Sequence, residues 1–208
     1  MVNERLPKVP QNPPADLSAE SRDVTSFAGI LWRIHRTAGI HVLAWNTPRT
    51  FGPLADMRYD PHPGPRPAAS SVGVHYNATD IKTALAEVYQ QDRVIDLRGN
   101  GPQLTAWRPT RPLRLLDLTD TWAIRNGASF VLNAAPKRVC RRWSRAIYEQ
   151  FPDLDGIHVH STMTGAPNIV VTDRSADAFP VHPDFSEALW AVETLVRSQA
   201  RTIGYRVI

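Results

Sequence analysis

Between Gly73 and Gln91 the hydrophobic pattern changes period, and this switch constrains the fold more tightly than any other stretch of the chain. Val74 and Tyr76 alternate with His75 and Asn77 in the period-two pattern of a half-buried strand. Thr79 or Asp80 then stands where the first N–H groups of a helix need a cap. From Ile81 the period lengthens to about 3.6, which puts Ile81, Ala84, Leu85 and Val88 on one helical face. A short strand, a tight turn and a helix therefore follow one another. Glu87 falls on the flank of the apolar face beside Ala84, and read locally it is an ordinary surface carboxylate.

The rest of the chain supplies more strands than helices. Phe27 to Ile34 reads as one apolar strand that carries Arg33 next to buried positions, where a guanidinium needs a partner or a ligand. His41 to Trp45 reads as a second short strand. Thr47 to Pro67, dense in Pro, Gly and Arg, reads as a long loop of the kind that lines sites, and it holds the cluster Arg58-Tyr59-Asp60-Pro61. Strands are expected at Arg93–Leu97, Leu104–Arg108 and Leu113–Leu118, forming a small antiparallel sheet, and at Ile157–Ser161 and Asn168–Thr172. A helix is expected over Asn133–Gln150, with Pro136 in its first turn and Val139, Trp143, Ala146 and Ile147 inward. A last helix over Phe185–Val196 and a closing strand through Ile203, Tyr205 and Val207 complete the pattern. Strands and helices mix without a βαβ rhythm, so the expected class is α+β, a compact mixed sheet with flanking helices. Residues 1–24 are rich in proline and polar groups and read as an N-terminal arm, and residues 25–208 as a single domain.

Several function classes drop out. No apolar run approaches the roughly 20 residues of a membrane span, and the N-terminus lacks the apolar stretch of a secretory signal, so a cytoplasmic protein is expected. Cys140 is the single cysteine, which rules out an intramolecular disulfide and favours burial as a small hydrophobe. Neither Gly-x-Gly-x-x-Gly nor a Walker loop is present, against a Rossmann dehydrogenase or a P-loop NTPase. The net charge of +4 comes almost wholly from arginine, since Lys8, Lys82 and Lys137 are the only lysines, and arginine suits planar recognition of phosphate or carboxylate.

Two constellations carry competing chemistry. The helix at 136–150 bears Lys137, Arg138, Arg141, Arg142 and Arg145 on its outer face, a stripe that would serve a nucleic-acid-binding module, although no aromatic residues interleave it. His158 and His160 project from one strand face at a spacing that would serve a metal-dependent hydrolase, given further ligands; no metal is expected on the leading reading. Ser161 follows His160 directly, but strand neighbours point to opposite faces, and no Gly-x-Ser-x-Gly elbow is present, so a serine hydrolase is weakly supported.

In order along the chain, Trp32-Arg33-Ile34, Phe51-Gly52 to Pro61, His75-Tyr76 with Ala84-Leu85-Ala86-Glu87, and Asp155-Gly156-Ile157 to Ser161 resemble the motifs of the RES domain, a family named for an arginine, a glutamate and a serine. The resemblance covers most of residues 27–180. This chain departs from the family where Met57-Arg58-Tyr59 replaces Gly-Arg-Trp, Val159 replaces a strand tyrosine and Thr162 stands where arginine is frequent.

The resemblance implies a fold similar to ADP-ribosyltransferase toxins and an attack on NAD, which serves as substrate. It implies Arg33, Glu87 and Ser161 as catalytic residues, with Arg58, Tyr59 and Tyr76 binding the dinucleotide. On that reading Glu87 binds the ribose hydroxyls and stabilises the developing positive charge. Arg33 and Arg58 pair with the pyrophosphate, a tyrosine stacks on a ring, and Ser161 bonds a phosphate, ribose or nicotinamide group. The acceptor of the ADP-ribosyl group, whether phosphate, water or protein, stays open. The implied partner is a helix-turn-helix antitoxin covering the pocket, with nucleic acid bound only through that antitoxin and no membrane involved.

Overall fold

The computed structural model describes residues 7–208. The strands are β1 (Val24–Phe27), β2 (Leu31–Arg36), β3 (Arg49–Gly52), β4 (Ala68–Ala78), β5 (Val94–Ile95), β6 (Pro102–Trp107), β7 (Leu113–Asp117), β8 (Gly156–His160), β9 (Pro167–Thr172), β10 (Phe185–Ala188) and β11 (Arg206–Val207). The helices are α1 (Ile81–Val88), α2 (Trp122–Arg125), α3 (Lys137–Gln150) and α4 (Glu193–Ile203). Nine strands form one mixed sheet in the order β1-β7-β8-β9-β4-β2-β6-β10, with β3 added on β4, while β5 and β11 make a separate parallel pair. The α+β class and the flanking helices are those expected.

Both faces of the central sheet are covered. Leu116, Ile157 and Val170 join α3, Trp122 and Trp143 in one core. Their strand neighbours Leu115, Ile169 and Val171 join Leu31 and Trp107 in another. A third core lies under α1 and α4, around Leu85, Leu104, Val196 and Ala200. This explains why β4 is not the half-buried strand that its alternation predicts: Val74, His75 and Asn77 are all buried. His75 is accommodated by a bond from its Nε2 to the Trp45 carbonyl at 2.6 Å and by edge contacts with Trp107 and Phe179. Burial pushes its basicity well below the usual histidine range.

The sheet narrows at one joint. β9 pairs with β4 from Val74 to Ala78, but on the other side β3 takes the earlier part of β4 and β2 meets it through a single pair, Trp32↔Ala78. The residues flanking this joint line a cleft. α1 springs from the end of β4, and Asp80 caps it by accepting the Thr83 N–H at 2.8 Å. Gly204, in the left-handed region at φ 69°, closes α4.

Several sequence expectations give way to long-range pairing. Phe27–Ile34 is two strands: β1 pairs with β7, and β2 pairs with β6. His41–Trp45 forms no strand, and the segment expected as a loop contains β3 and leads into the long β4. The three middle strands do not form a sheet of their own, because β5 pairs with β11, β6 lies between β2 and β10, and β7 lies between β1 and β8, parallel to the latter. Phe185–Ala188 has a helical period yet pairs with the edge of β6, and the last helix begins only at Glu193. α3 starts at Lys137, after Pro136 and a 3-10 turn over Phe130–Ala134. The closing strand shrinks to Arg206–Val207 because Ile203 ends α4.

Residues 1–6 of the expected N-terminal arm lie outside the described residues. The remainder lies against the body: the Trp143 indole donates to the Pro10 carbonyl at 3.1 Å, the Trp122 indole to the Ser18 carbonyl at 2.8 Å, and Leu17 is buried in the α3 core.

At Gly156, paired with Val171, an added Cβ would lie on the Val170 carbonyl oxygen and 2.7 Å from the Val171 Cα. Backbone in a central strand cannot yield as a side chain does. Gly156→Ala should cost roughly 3 kcal/mol of stability, read as a lowered midpoint in denaturant at unchanged m value.

Candidate active site

The joint between β2 and β4 opens into a cleft of about 650 Å³, within the roughly 300–1,000 Å³ range of small-molecule sites. Five of the six residues singled out from the sequence line it: Arg33 from β2, Arg58 and Tyr59 from the loop before β4, Tyr76 from β4 and Glu87 from α1. The sixth, Ser161, lies just behind Glu87.

Ser161 begins the turn that joins β8 to β9, closed by the Gly165 N–H on the Ser161 carbonyl at 2.9 Å. Its hydroxyl donates to Glu87 Oε1 at 2.6 Å and accepts the N–H groups of Met163 and Thr164, each at 3.1 Å. One donor and two acceptor sites are all that a serine hydroxyl has. The hydrogen-bonding sites of the Ser161 hydroxyl are therefore all filled by protein, and from behind the cleft it holds Glu87. Asn168 of β9 gives Oε1 a second hydrogen bond, from Nδ2 at 3.1 Å. Oε2 of Glu87 has no protein donor among the described residues. Further back, Thr83 in the first turn of α1 bonds Thr164 at 2.8 Å, tying the helix to the same turn.

The opposite wall is organised by Asp60, a fully buried carboxylate. It accepts from Arg49 Nη2 at 2.6 Å, from the Leu54 N–H at 2.8 Å and from the Tyr76 hydroxyl at 2.8 Å, and the His62 ring lies 3.7 Å away. Burial alone would raise its proton affinity, but His62, Arg49 and the Leu54 N–H together hold it below the usual carboxylate range. The Tyr76 hydroxyl, pushed well above its ordinary value by burial and by the Asp60 charge, stays protonated and also accepts the Tyr59 N–H at 3.1 Å. Tyr59 is anchored at its far end, where its hydroxyl donates to Asn133 Oδ1 at 3.1 Å. That same oxygen accepts the His160 N–H at 3.3 Å, one residue before Ser161. Arg58 donates through Nη1 to the Ala135 carbonyl and lies 3.5 Å from the buried Cys140 sulfur.

Arg33 is different. Its Nε is buried without a hydrogen-bond partner, and among the described residues it forms no ion pair with a carboxylate. Burial, with Arg49 adding like-charge repulsion, pulls its pKa down to about 10. The neighbouring His35, lowered to about 4 by burial and by Arg33, is neutral at physiological pH. The cleft thus sets an uncompensated guanidinium and a carboxylate with one free oxygen in a single concavity.

Sequence reasoning missed Arg49, Asn133 and Asn168 and did not separate Asp60 from its cluster. For Asn168 a local signal existed: an amide next to the apolar run Ile169-Val170-Val171 must find a partner when the strand is buried. For the others the partners come from distant segments.

Several members of the competing constellations make contacts of their own. On α3, Arg141 donates to the carbonyls of Leu54, Ala55 and Met57, and Arg142 to Gln11 and Asn12. His158 lies 3.5 Å from Asp117, and His160 bonds the Gly165 carbonyl at 2.8 Å. Among the described residues no group of three or more His, Cys, Asp or Glu side chains is placed to hold a metal ion, and no helix is long and apolar enough to cross a membrane.

The RES domain family model matches residues 30–192, which takes in every element that lines the cleft. The chain belongs to the RES domain family. No curated protein sequence matches it. Among solved structures, this RES domain is similar to a chain of the crystal structure of the M. tuberculosis MbcT-MbcA toxin-antitoxin complex, with a TM-score of 0.58 and 16% sequence identity over 86% of this chain and 93% of that one. At that identity the likeness is one of fold.

An unpaired buried cation costs the folded protein stability at every pH below about 10, where Arg33 is charged. Replacing it with an apolar chain of similar length removes that cost. Arg33→Met should therefore stabilise the RES domain by roughly 1–2 kcal/mol in thermal or denaturant unfolding.

Proposed function

We propose that this RES domain consumes NAD, cleaving the N-glycosidic bond between nicotinamide and ribose, and that it is the toxin of a bacterial toxin-antitoxin pair. One observation carries the enzymatic reading. Glu87 is clamped through Oε1 by Ser161 and Asn168, with Oε2 free, in the same cleft as a buried arginine that has no carboxylate partner.

That arrangement suits a dinucleotide with a scissile bond to an already cationic ring. When the ribose C1′–N bond breaks, its electron pair goes to the pyridinium nitrogen and nicotinamide leaves neutral, so no general acid is required. The ribose is left electron-poor, and a fixed carboxylate beside it stabilises that charge without reorganising. Arg33 answers the pyrophosphate, and the anion lowers the cost of burying the guanidinium. Arg58 retains donors beyond the one on Ala135 for the same phosphates. Tyr76, its hydroxyl turned away to Asp60, is half-buried and keeps ring surface for stacking, whereas Tyr59, 4% exposed, packs in the α3 core and backs the wall of the cleft. Water, inorganic phosphate or a protein side chain then adds at C1′ and loses its proton.

Ser161 acts in this reading as a positioning residue, a narrower role than the catalytic contact implied by the resemblance. The antitoxin reading draws support from apolar side chains at the rim of the cleft: Val88 is 47% exposed, and Phe130, 54% exposed, packs against the His160 ring.

Incubation with NAD, with and without phosphate, followed by mass analysis of the products separates the acceptors: free ADP-ribose for water, its phosphorylated form for phosphate, a heavier protein for protein modification. Glu87→Gln keeps the shape of the side chain and removes its charge. It should lower kcat at least about 100-fold with the melting temperature little changed. NAD consumption undiminished in this variant would remove Glu87 from the chemistry.

A further inference from the structure

Asn168 has two ends, and only one of them is accounted for. Nδ2 donates to Glu87 Oε1 at 3.1 Å. A carboxylate oxygen accepts and does not donate, so this contact decides which amide atom faces Glu87 and leaves Oδ1 on the other side. Oδ1 is buried, has no hydrogen-bond partner, and belongs to a residue that lines the cleft. The strand places it firmly, since Asn168 pairs with Val159 of β8 and with Ala78 of β4.

Ser161 provides the comparison. As a buttress for the same carboxylate oxygen, it has every hydrogen-bonding site filled by protein. A buttress made of asparagine instead keeps an acceptor in reserve, buried and unsatisfied, which is costly unless a ligand supplies the donor. Glu87 Oε2 is a second acceptor without a protein donor, on a side chain in direct contact with the first. Two acceptors on side chains in direct contact suit the two donors of a vicinal diol.

The geometry points to Asn168 as a substrate-contacting specificity residue that, with Glu87, recognises the vicinal diol of a ribose. Oδ1 accepts from one hydroxyl while Oε2 accepts from its neighbour. Asn168 thereby couples recognition of the sugar to the placement of the carboxylate, because the amide that reads one hydroxyl also fixes the oxygen that reads the other. This rests on the NAD reading, which supplies the ribose.

The test uses a non-cleavable carbocyclic NAD and its 2′-deoxy and 3′-deoxy forms, altered on the nicotinamide-side ring, so that binding is measured apart from reactivity. Calorimetry on wild type should show each deoxy form binding about tenfold more weakly than the parent. In Asn168→Ala the parent should weaken by a similar factor, and the penalty for removing the hydroxyl that Asn168 reads should vanish while the penalty for the other remains. If Asn168→Ala weakens all three ligands by one common factor, Asn168 only positions Glu87 and the inference is overturned. Equal binding of all three ligands by wild type overturns it as well, and needs no variant to fold. These outcomes are distinct from failure of the NAD reading, in which wild type neither cleaves NAD nor binds the carbocyclic parent.

Discussion

The hydrogen bond from Ser161 to Glu87 joins two parts of the molecule that the sheet alone would not hold in register. Glu87 rides on α1, a helix of only eight residues whose start is set by the Asp80 cap. Ser161 heads a turn between β8 and β9 whose own amides saturate the hydroxyl. A helix this short is marginal by itself. Its orientation comes from Leu85 packed in the core under α4, from the Thr83–Thr164 contact and from the clamp on Oε1. The Glu87 carboxylate is thus held by protein at one oxygen and left open at the other.

The far wall of the cleft obeys the opposite rule, with a charge fully satisfied by protein. Asp60 gathers Arg49, Tyr76 and the Leu54 amide, and so fixes the loop that carries Arg58 and Tyr59. Stability concentrates there because a buried carboxylate with several donors is costly to disrupt. Arg33 stands outside this network. Its isolation makes the cleft less stable than an apolar one would be, and on the proposed reading an anionic ligand offsets that cost. The same logic applies on a smaller scale to the amide oxygen of Asn168.

Much of this was legible in the sequence where the determinants are local. The cap, the helix and Glu87 on its flank follow from residues within a few positions of one another, and the inward faces of α3 follow from period alone. Bringing Arg33, Glu87 and Ser161 to one place rested on the resemblance to the RES family, since no periodicity says which strand lies beside which. What local pattern could not reveal was set by partners far along the chain. β10 has the period of a helix but completes a sheet edge. β4 alternates like a half-exposed strand yet has cores on both faces. Asn168 meets its carboxylate across 81 residues. The saturation of Ser161 depends on the shape of a turn, which its residue types permit without requiring.

On the proposed reading, a dinucleotide lies in this cleft with its phosphates at the lone arginine and a ribose at the half-free carboxylate. A crystal structure of the RES domain with carbocyclic NAD tests it directly. The pyrophosphate should lie within hydrogen-bond distance of Arg33, and the nicotinamide-side ring should place its two hydroxyls on Glu87 Oε2 and Asn168 Oδ1, with Ser161 still bonded to Oε1. A dinucleotide bound away from the β2–β4 joint, or bound there with Arg33 and Glu87 untouched, would contradict the account.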